Sequence, residues 1–201
     1  METNNSRIIV FGAGGRVGRA AVAEARRRGH EVTEAGRADG QVTDAATVAR
    51  LAEGHDAAIV AVYDPGVPAD EFFPSVARAL AVGLPAAAVK RLVSVGLASV
   101  LPTETGDLLM DVPGYPQEWR EFYVGHGAGT EELRAAAPEA LDWVVMSPAG
   151  DFDDEGGPSS GYVLAPAAAD SRITPADFAR ALLDQVDAPT LHRTHVGVSA
   201  A

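Results

Sequence analysis

The stretch Arg7-Ile8-Ile9-Val10-Phe11-Gly12-Ala13-Gly14-Gly15-Arg16-Val17-Gly18-Arg19 carries the most informative pattern in the chain. Residues 7–11, apolar after Arg7, read as a short buried strand. Glycines follow at 12, 14, 15 and 18, and a helix is expected from Arg16 to about Arg28. A strand, a tight glycine turn and a helix N-terminus together cradle a dinucleotide pyrophosphate. Glycine lets the backbone turn sharply and lets the phosphate approach with no Cβ in the way. The helix start adds unpaired N–H groups and the positive end of its dipole. Gly18 lets the helix lie close to the strand. Glycine turns are common, but strand before and helix after, within an N-terminal βαβ unit, favour a nucleotide site.

Outward from this stretch, strands and helices continue to alternate. The helix stops at Gly29-His30, and Glu31 to Ala35 is the second strand. Gln41-Val42 is read as a very short third strand. Asp44 is a good N-cap for a helix to about Leu51. Further strands are expected at Ala57 to Val62, Arg91 to Val95, Asp142 to Met146 and His195 to Val198. Helices are expected at Ala69 to Val82, at Thr130 to Ala137, and after Thr174, which is followed by Pro175 at the first helical position. Two long irregular segments, about 98–125 and 147–172, complete the chain. This pattern predicts one α/β Rossmann domain over residues 1–201, with a doubly wound, mainly parallel sheet of about seven strands.

In such sheets the ligand lies beyond the carboxyl ends of the strands, at the switch point. The expected cofactor residues are therefore Gly12, Gly14, Gly15, Arg16, Val17, Gly18, Arg37, Ala61, Val62, Val95, Ser147 and Pro148. The loop after the second strand sets cofactor type. An acid there accepts from a ribose 2′-OH, whereas an arginine pairs with a 2′-phosphate. Gly36-Arg37 occupies that place, and Arg16 is in position to join it. NADP(H) is favoured over NAD(H), although Asp39 nearby argues the other way.

Composition narrows the partners. The chain has 201 residues, no cysteine and a net charge of −12. An acidic surface argues against nucleic acid and anionic membranes. Disulfides and thiolate metal sites are excluded. The longest apolar run, Leu80 to Val89, is too short to span a bilayer, and the N-terminus shows no apolar signal region. A cytoplasmic protein, monomeric or homodimeric, acting on a small molecule is expected. No metal site is expected, because the histidines lack ligand spacing. The acidic run Asp151 to Gly161 is read as a solvated loop.

The same residues resemble the atypical short-chain dehydrogenase/reductases. The resemblance is to their NAD(P)H-binding branch of NADH-flavin reductases, akin to NmrA-like and biliverdin-reductase-B-like proteins. It extends through Lys90 to Ser99, the Asp111-Val112-Pro113-Gly114-Tyr115-Pro116 loop, Leu141 to Ala149 and Ser171 to Ala179. It implies a Rossmann fold and a nicotinamide cofactor, and leaves the substrate open. Short-chain dehydrogenases typically pair a Tyr-x-x-x-Lys with a serine. Here Lys90 is the single lysine and precedes its strand, so that dyad is absent. The resemblance instead points to Ser99, Tyr123 and His126 as catalytic candidates. The glycines at 125, 127 and 129 each weaken a helix by about 1 kcal/mol, which places the helix start at Thr130 and His126 in a loop above the site.

A missing tyrosine dyad suits flavin or quinone reduction, in which water supplies the proton. Aromatics within 100–125 (Tyr115, Trp119, Phe122 and Tyr123) suit stacking on a planar ligand, or a small satellite core. The leading expectation is an NADPH-dependent reductase of a flavin, quinone or other conjugated small molecule. An isomerase, dehydratase or cyclase on the same fold, and an NmrA-like nucleotide sensor, are the alternatives.

Overall fold

The computed structural model describes residues 5–157 and 161–201. Its central sheet has seven strands in the order β2-β1-β3-β4-β5-β9-β7. They are β1 (Arg7–Phe11), β2 (Glu31–Ala35), β3 (Ala57–Val60), β4 (Arg91–Val95), β5 (Asp142–Pro148), β7 (Tyr162–Leu164) and β9 (Thr194–Ala200). All neighbouring pairs run parallel except β7 with β9. A separate two-stranded ladder joins β6 (Asp151–Phe152) to β8 (Arg172–Ile173). The helices are α1 (Arg16–Arg27), α2 (Ala45–Ala52), α3 (Ala69–Ala86), α4 (Arg120–Ala136) and α5 (Pro175–Asp187).

The pleat sends alternate residues of each strand to opposite faces. Ile8 and Val10 pack with Ile59, Val93 and Met146 against α1 and α5. Ile9 and Phe11 pack with Val60, Leu92, Trp143 and Val145 against α2, α3 and α4. A strand covered on both sides has no solvent face, which is why β1, β3 and β5 read as continuous apolar runs. The order reverses between β1 and β3, so the switch point lies between the ends of those two strands.

Helix caps agree with the sequence. The Asp44 carboxylate accepts from Thr47 N–H, and Thr174 Oγ1 accepts from Asp177 N–H at the start of α5. Arg28 does more than complement a dipole: it bonds Glu24 on α1 and Asp184 and Asp187 on α5, tying the two helices together.

Several expectations are corrected. Gln41-Val42 is not a strand, because the Asp44 N–H donates to the Gln41 carbonyl and closes a turn that leads into the α2 cap. β3 stops at Val60, and α3 runs on through Pro85 to Ala86. Near the C-terminus of a helix a proline forfeits only one backbone bond, while Leu84 beside it stays fully buried. The segment 147–172 is not wholly irregular, since β6 and β7 lie in it; Pro158, Ser159 and Ser160 of the acidic loop fall outside the described residues, as do residues 1–4.

The largest correction is α4, which begins at Arg120 and carries all three glycines inside it. A Cβ at Gly125 would lie 2.5 Å from the Ala69 carbonyl carbon, and one at Gly129 2.7 Å from Phe73 Cβ. These glycines let α4 press against α3, so the propensity they cost is offset by close packing. His126 therefore sits within a helix and not in a loop.

Candidate functional site

The turn after β1 has the shape its glycines demand. Gly12 has φ +81°, and a Cβ there would collide with the Ala61 carbonyl oxygen. A Cβ at Gly18 would collide with the Gly12 carbonyl oxygen, so α1 can lie against the turn only with glycine at that place. At Gly14 a Cβ would meet nothing within 4 Å, so this face of the turn is open to a ligand. Gly15 caps α1 without a side-chain bond, and the first turn of α1 has no acidic residue. The leading N–H groups of α1 thus keep the positive end of the dipole uncompensated. This arrangement fits a pyrophosphate.

A cleft of about 410 Å³ opens beside this turn, lined by Gly12, Gly14 and Gly15, by Ala61 and Val62, and by Arg37. The Arg37 side chain is 74% exposed and 4.0 Å from Asp64, a loose pairing that leaves the guanidinium available at the rim. Arg16 does not join it. Its guanidinium bonds Asp154 at 2.6 Å and lies 4.7 Å from the centre of the Phe152 ring, drawn to the opposite loop by charge and ring face. Val17 packs into the core between sheet, α1 and α5.

Past β4 and β5 the candidates form two polar pairs. Ser99 is buried, and its Oγ is hydrogen-bonded to the Tyr115 hydroxyl at 2.9 Å, with either oxygen able to donate. Tyr115 and Tyr123 lie with ring centres 5.6 Å apart. Burial, with Tyr115 and Glu118 nearby, raises the Tyr123 hydroxyl above the usual phenol range and makes it a weaker acid. Ser147, fully buried, is hydrogen-bonded to His195 Nε2 at 2.7 Å. Gly96 leaves room for this pair, because a Cβ there would lie 2.5 Å from Ser147 Oγ and 2.8 Å from His195 Nε2. Pro148 ends β5, buried.

Val95 and His126 line a 40 Å³ cavity between the sheet and α3/α4, with Ser94 and Thr130 as its other polar groups. The His126 ring lies 4.0 Å from the Phe73 ring centre. Burial pushes His126 down to about 4, with His195 adding a smaller push. Burial and Arg134 push His195 down to about 4 as well. Both imidazoles are neutral at pH 7, so His126 does not stand loaded as a general acid.

These shifts predict a pH response. A histidine whose folded pKa lies below its unfolded value of about 6.5 binds its proton more readily in the unfolded chain. Stability is fully present above pH 6.5 and is lost as pH falls from there toward 4. At the steepest, each histidine contributes a slope of about 1.4 kcal/mol per pH unit. Thermal melts between pH 7.5 and 4.5 are expected to show this decline, and His126→Asn with His195→Asn is expected to flatten it.

Tyr63, Asp64, Gln41 and Val42 also line the cleft, and no motif marks them. Ser147–His195 and Ser99–Tyr115 lie 48 and 16 residues apart in the chain, beyond the reach of any local pattern.

Known proteins place the chain further. A profile described as NAD(P)H-binding matches residues 12–189. The uncharacterized protein YwnB of Bacillus subtilis (strain 168) is 30% identical over 200 residues, covering 91% of this chain and 93% of that protein. The structure of a putative NADH-flavin reductase from Streptococcus pneumoniae TIGR4 aligns with a TM-score of 0.77 at 25% identity, over 98% of this chain and 100% of the other. A putative epimerase from Bacteroides thetaiotaomicron aligns with a TM-score of 0.81 at 25% identity, over 98% of each chain. The glycine turn at the switch point and the extent of the profile match lead to one conclusion: the chain belongs to the NAD(P)H-binding family.

Proposed function

We propose that the protein is an NAD(P)H-dependent reductase, using NADPH in preference to NADH, whose acceptor is a flavin, quinone or other conjugated small molecule. The observation that carries this reading is a junction of two spaces. The glycine-lined cleft and an aromatic groove between the 63–70 loop and the start of α4 share Tyr63 as a common wall. A nicotinamide nucleotide held on the turn and a planar ring stacked in the groove would be neighbours. The similarity to the Streptococcus pneumoniae protein supports the acceptor class.

The residues divide the work as follows. The Gly12–Gly18 turn holds the pyrophosphate, and Arg37 pairs with a 2′-phosphate. Ala61 and Val62 floor the cleft, and Val95, Ser147 and Pro148 back it from the ends of β4 and β5 without lining it. A bound reduced nicotinamide supplies the hydride. Water supplies the proton that completes reduction of the acceptor, because His126 is neutral and Tyr123 is a poor acid. The Ser99–Tyr115 hydroxyl pair positions an acceptor oxygen.

The test begins with binding. Fluorescence titration is expected to give NADPH at least ~10-fold tighter than NADH, and Arg37→Glu is expected to remove that preference. Loss of absorbance at 340 nm with a quinone or a flavin present then measures turnover. Equal affinity for the two nucleotides would remove Arg37 from the reading. Binding without oxidation by any conjugated acceptor would remove the reductase.

A further inference from the structure

The groove beside the cofactor cleft has its own chemistry. Its walls are Tyr63, Trp119, Phe122 and Tyr123 with Pro65 and Val67, and it is open to solvent along one side. Trp119 is 61% exposed and Tyr63 48%, large aromatic surfaces left to solvent at one place. Both stand on packed rings or beside them. Tyr63 lies 5.1 Å from Phe122 and 6.1 Å from Phe73, and the Phe73 ring is held against His126. Exposed aromatic rings on a packed base suit a flat ligand.

The rim is acidic. Asp70, Glu118 and Glu121 line the groove and are exposed, and none of them forms an ion pair among the described residues. Arg120 is the single basic lining residue, and its guanidinium is taken up by Asp111 at 2.6 Å, the Met110 carbonyl and the Gln117 side-chain oxygen. A phosphate or carboxylate entering here would meet three acidic groups and no free cation among the groove's lining residues; Arg37, whose guanidinium lies 3.5 Å from the Tyr63 carbonyl oxygen, lines the neighbouring cleft. The field of a chain with net charge −12 acts in the same direction.

We infer that the groove binds the acceptor of the proposed reductase and selects planar ring systems that carry no anionic group. This rests on the reductase reading for the identity of the ligand, whereas the charge selection rests on the groove alone. Among flavins it means riboflavin rather than its phosphate ester, and among quinones the uncharged rather than the sulfonated ones.

Riboflavin and FMN are a matched pair that differ by one phosphate. Quenching of flavin fluorescence by the intact protein at low salt is expected to give riboflavin a Kd at least ~10-fold lower than FMN. Asp70→Asn with Glu118→Gln and Glu121→Gln is expected to close most of that gap by tightening FMN, and 0.5 M salt is expected to narrow it in the parent protein. Trp119→Ala, which removes a side chain 61% exposed and keeps the backbone carbonyl that accepts the Tyr123 N–H, is expected to weaken riboflavin about tenfold. FMN binding as tightly as riboflavin, or neither flavin binding, would overturn the inference. Selective riboflavin binding without NADPH oxidation would remove the reductase and leave the groove's selectivity standing. Riboflavin reduction unaffected by Trp119→Ala would do the reverse.

Discussion

Gly14→Asp is expected to leave the protein folded and to weaken NADPH at least ~100-fold. A side chain at this position meets no atom within 4 Å, so the backbone has no reason to move. The added carboxylate would stand on the open face of the turn, where the pyrophosphate is proposed to lie. Unit charges about 5 Å apart at an effective dielectric of 20 repel by about 3 kcal/mol, which corresponds to more than a hundredfold in affinity. A melting temperature within about 2 °C of the parent, read beside the titration, separates this from a folding defect. Gly12→Ala makes the opposite control. There φ is +81° and the Ala61 carbonyl oxygen occupies the space a Cβ needs, so stability falls along with binding. A Gly14→Asp protein that still binds NADPH tightly would show that the phosphates lie elsewhere.

The second large effect is structural. Gly129→Val is expected to destabilise the fold by about 3 kcal/mol, since the new Cβ would sit 2.7 Å from Phe73 Cβ and 3.0 Å from the Phe73 carbonyl carbon. Backbone on α3 cannot yield as a side chain can, so α4 must lift away. For a chain of this length the loss lowers the melting temperature by about 6–12 °C. Riboflavin affinity is expected to fall with it, because Phe122 and Tyr123 ride on the same helix. Gly127→Ala is the contrasting case. Its Cβ would meet only the Val100 side chain, at 3.1 Å from Cγ1 and 3.5 Å from Cβ, with no backbone in the way, and the helix gains up to about 1 kcal/mol of propensity. Equal destabilisation by Gly127→Ala and Gly129→Val would show that the glycines matter for something other than the α3 contact.

Most of the fold was legible because it follows from local chemistry. β1, β2 and β4 span the residues expected of them, and the Asp44 and Thr174 side chains each accept the expected N–H. The glycine turn was readable for the same reason, since backbone shape and phosphate access are both properties of residues adjacent in the chain. Where local preference and packing pull apart, the sequence misleads. Helix propensity alone starts α4 at Thr130, yet contact with α3 holds it from Arg120. Gln41-Val42, read as a very short strand, takes the backbone of a turn.

By itself, then, the sequence determined the sheet's central strands, the helices whose caps lie beside them, the nucleotide turn and the family resemblance. Each of these is encoded within a few residues. Only the tertiary structure decided that Arg16 turns away to Asp154 while Arg37 stays at the cleft, that Ser147 meets His195, and that His126 is buried against Phe73. Only it set an acidic rim around the aromatic groove next to the cofactor cleft. Those pairings join residues far apart in the chain. Their partners are chosen by which helix packs on which face of the sheet, and no local pattern records that choice.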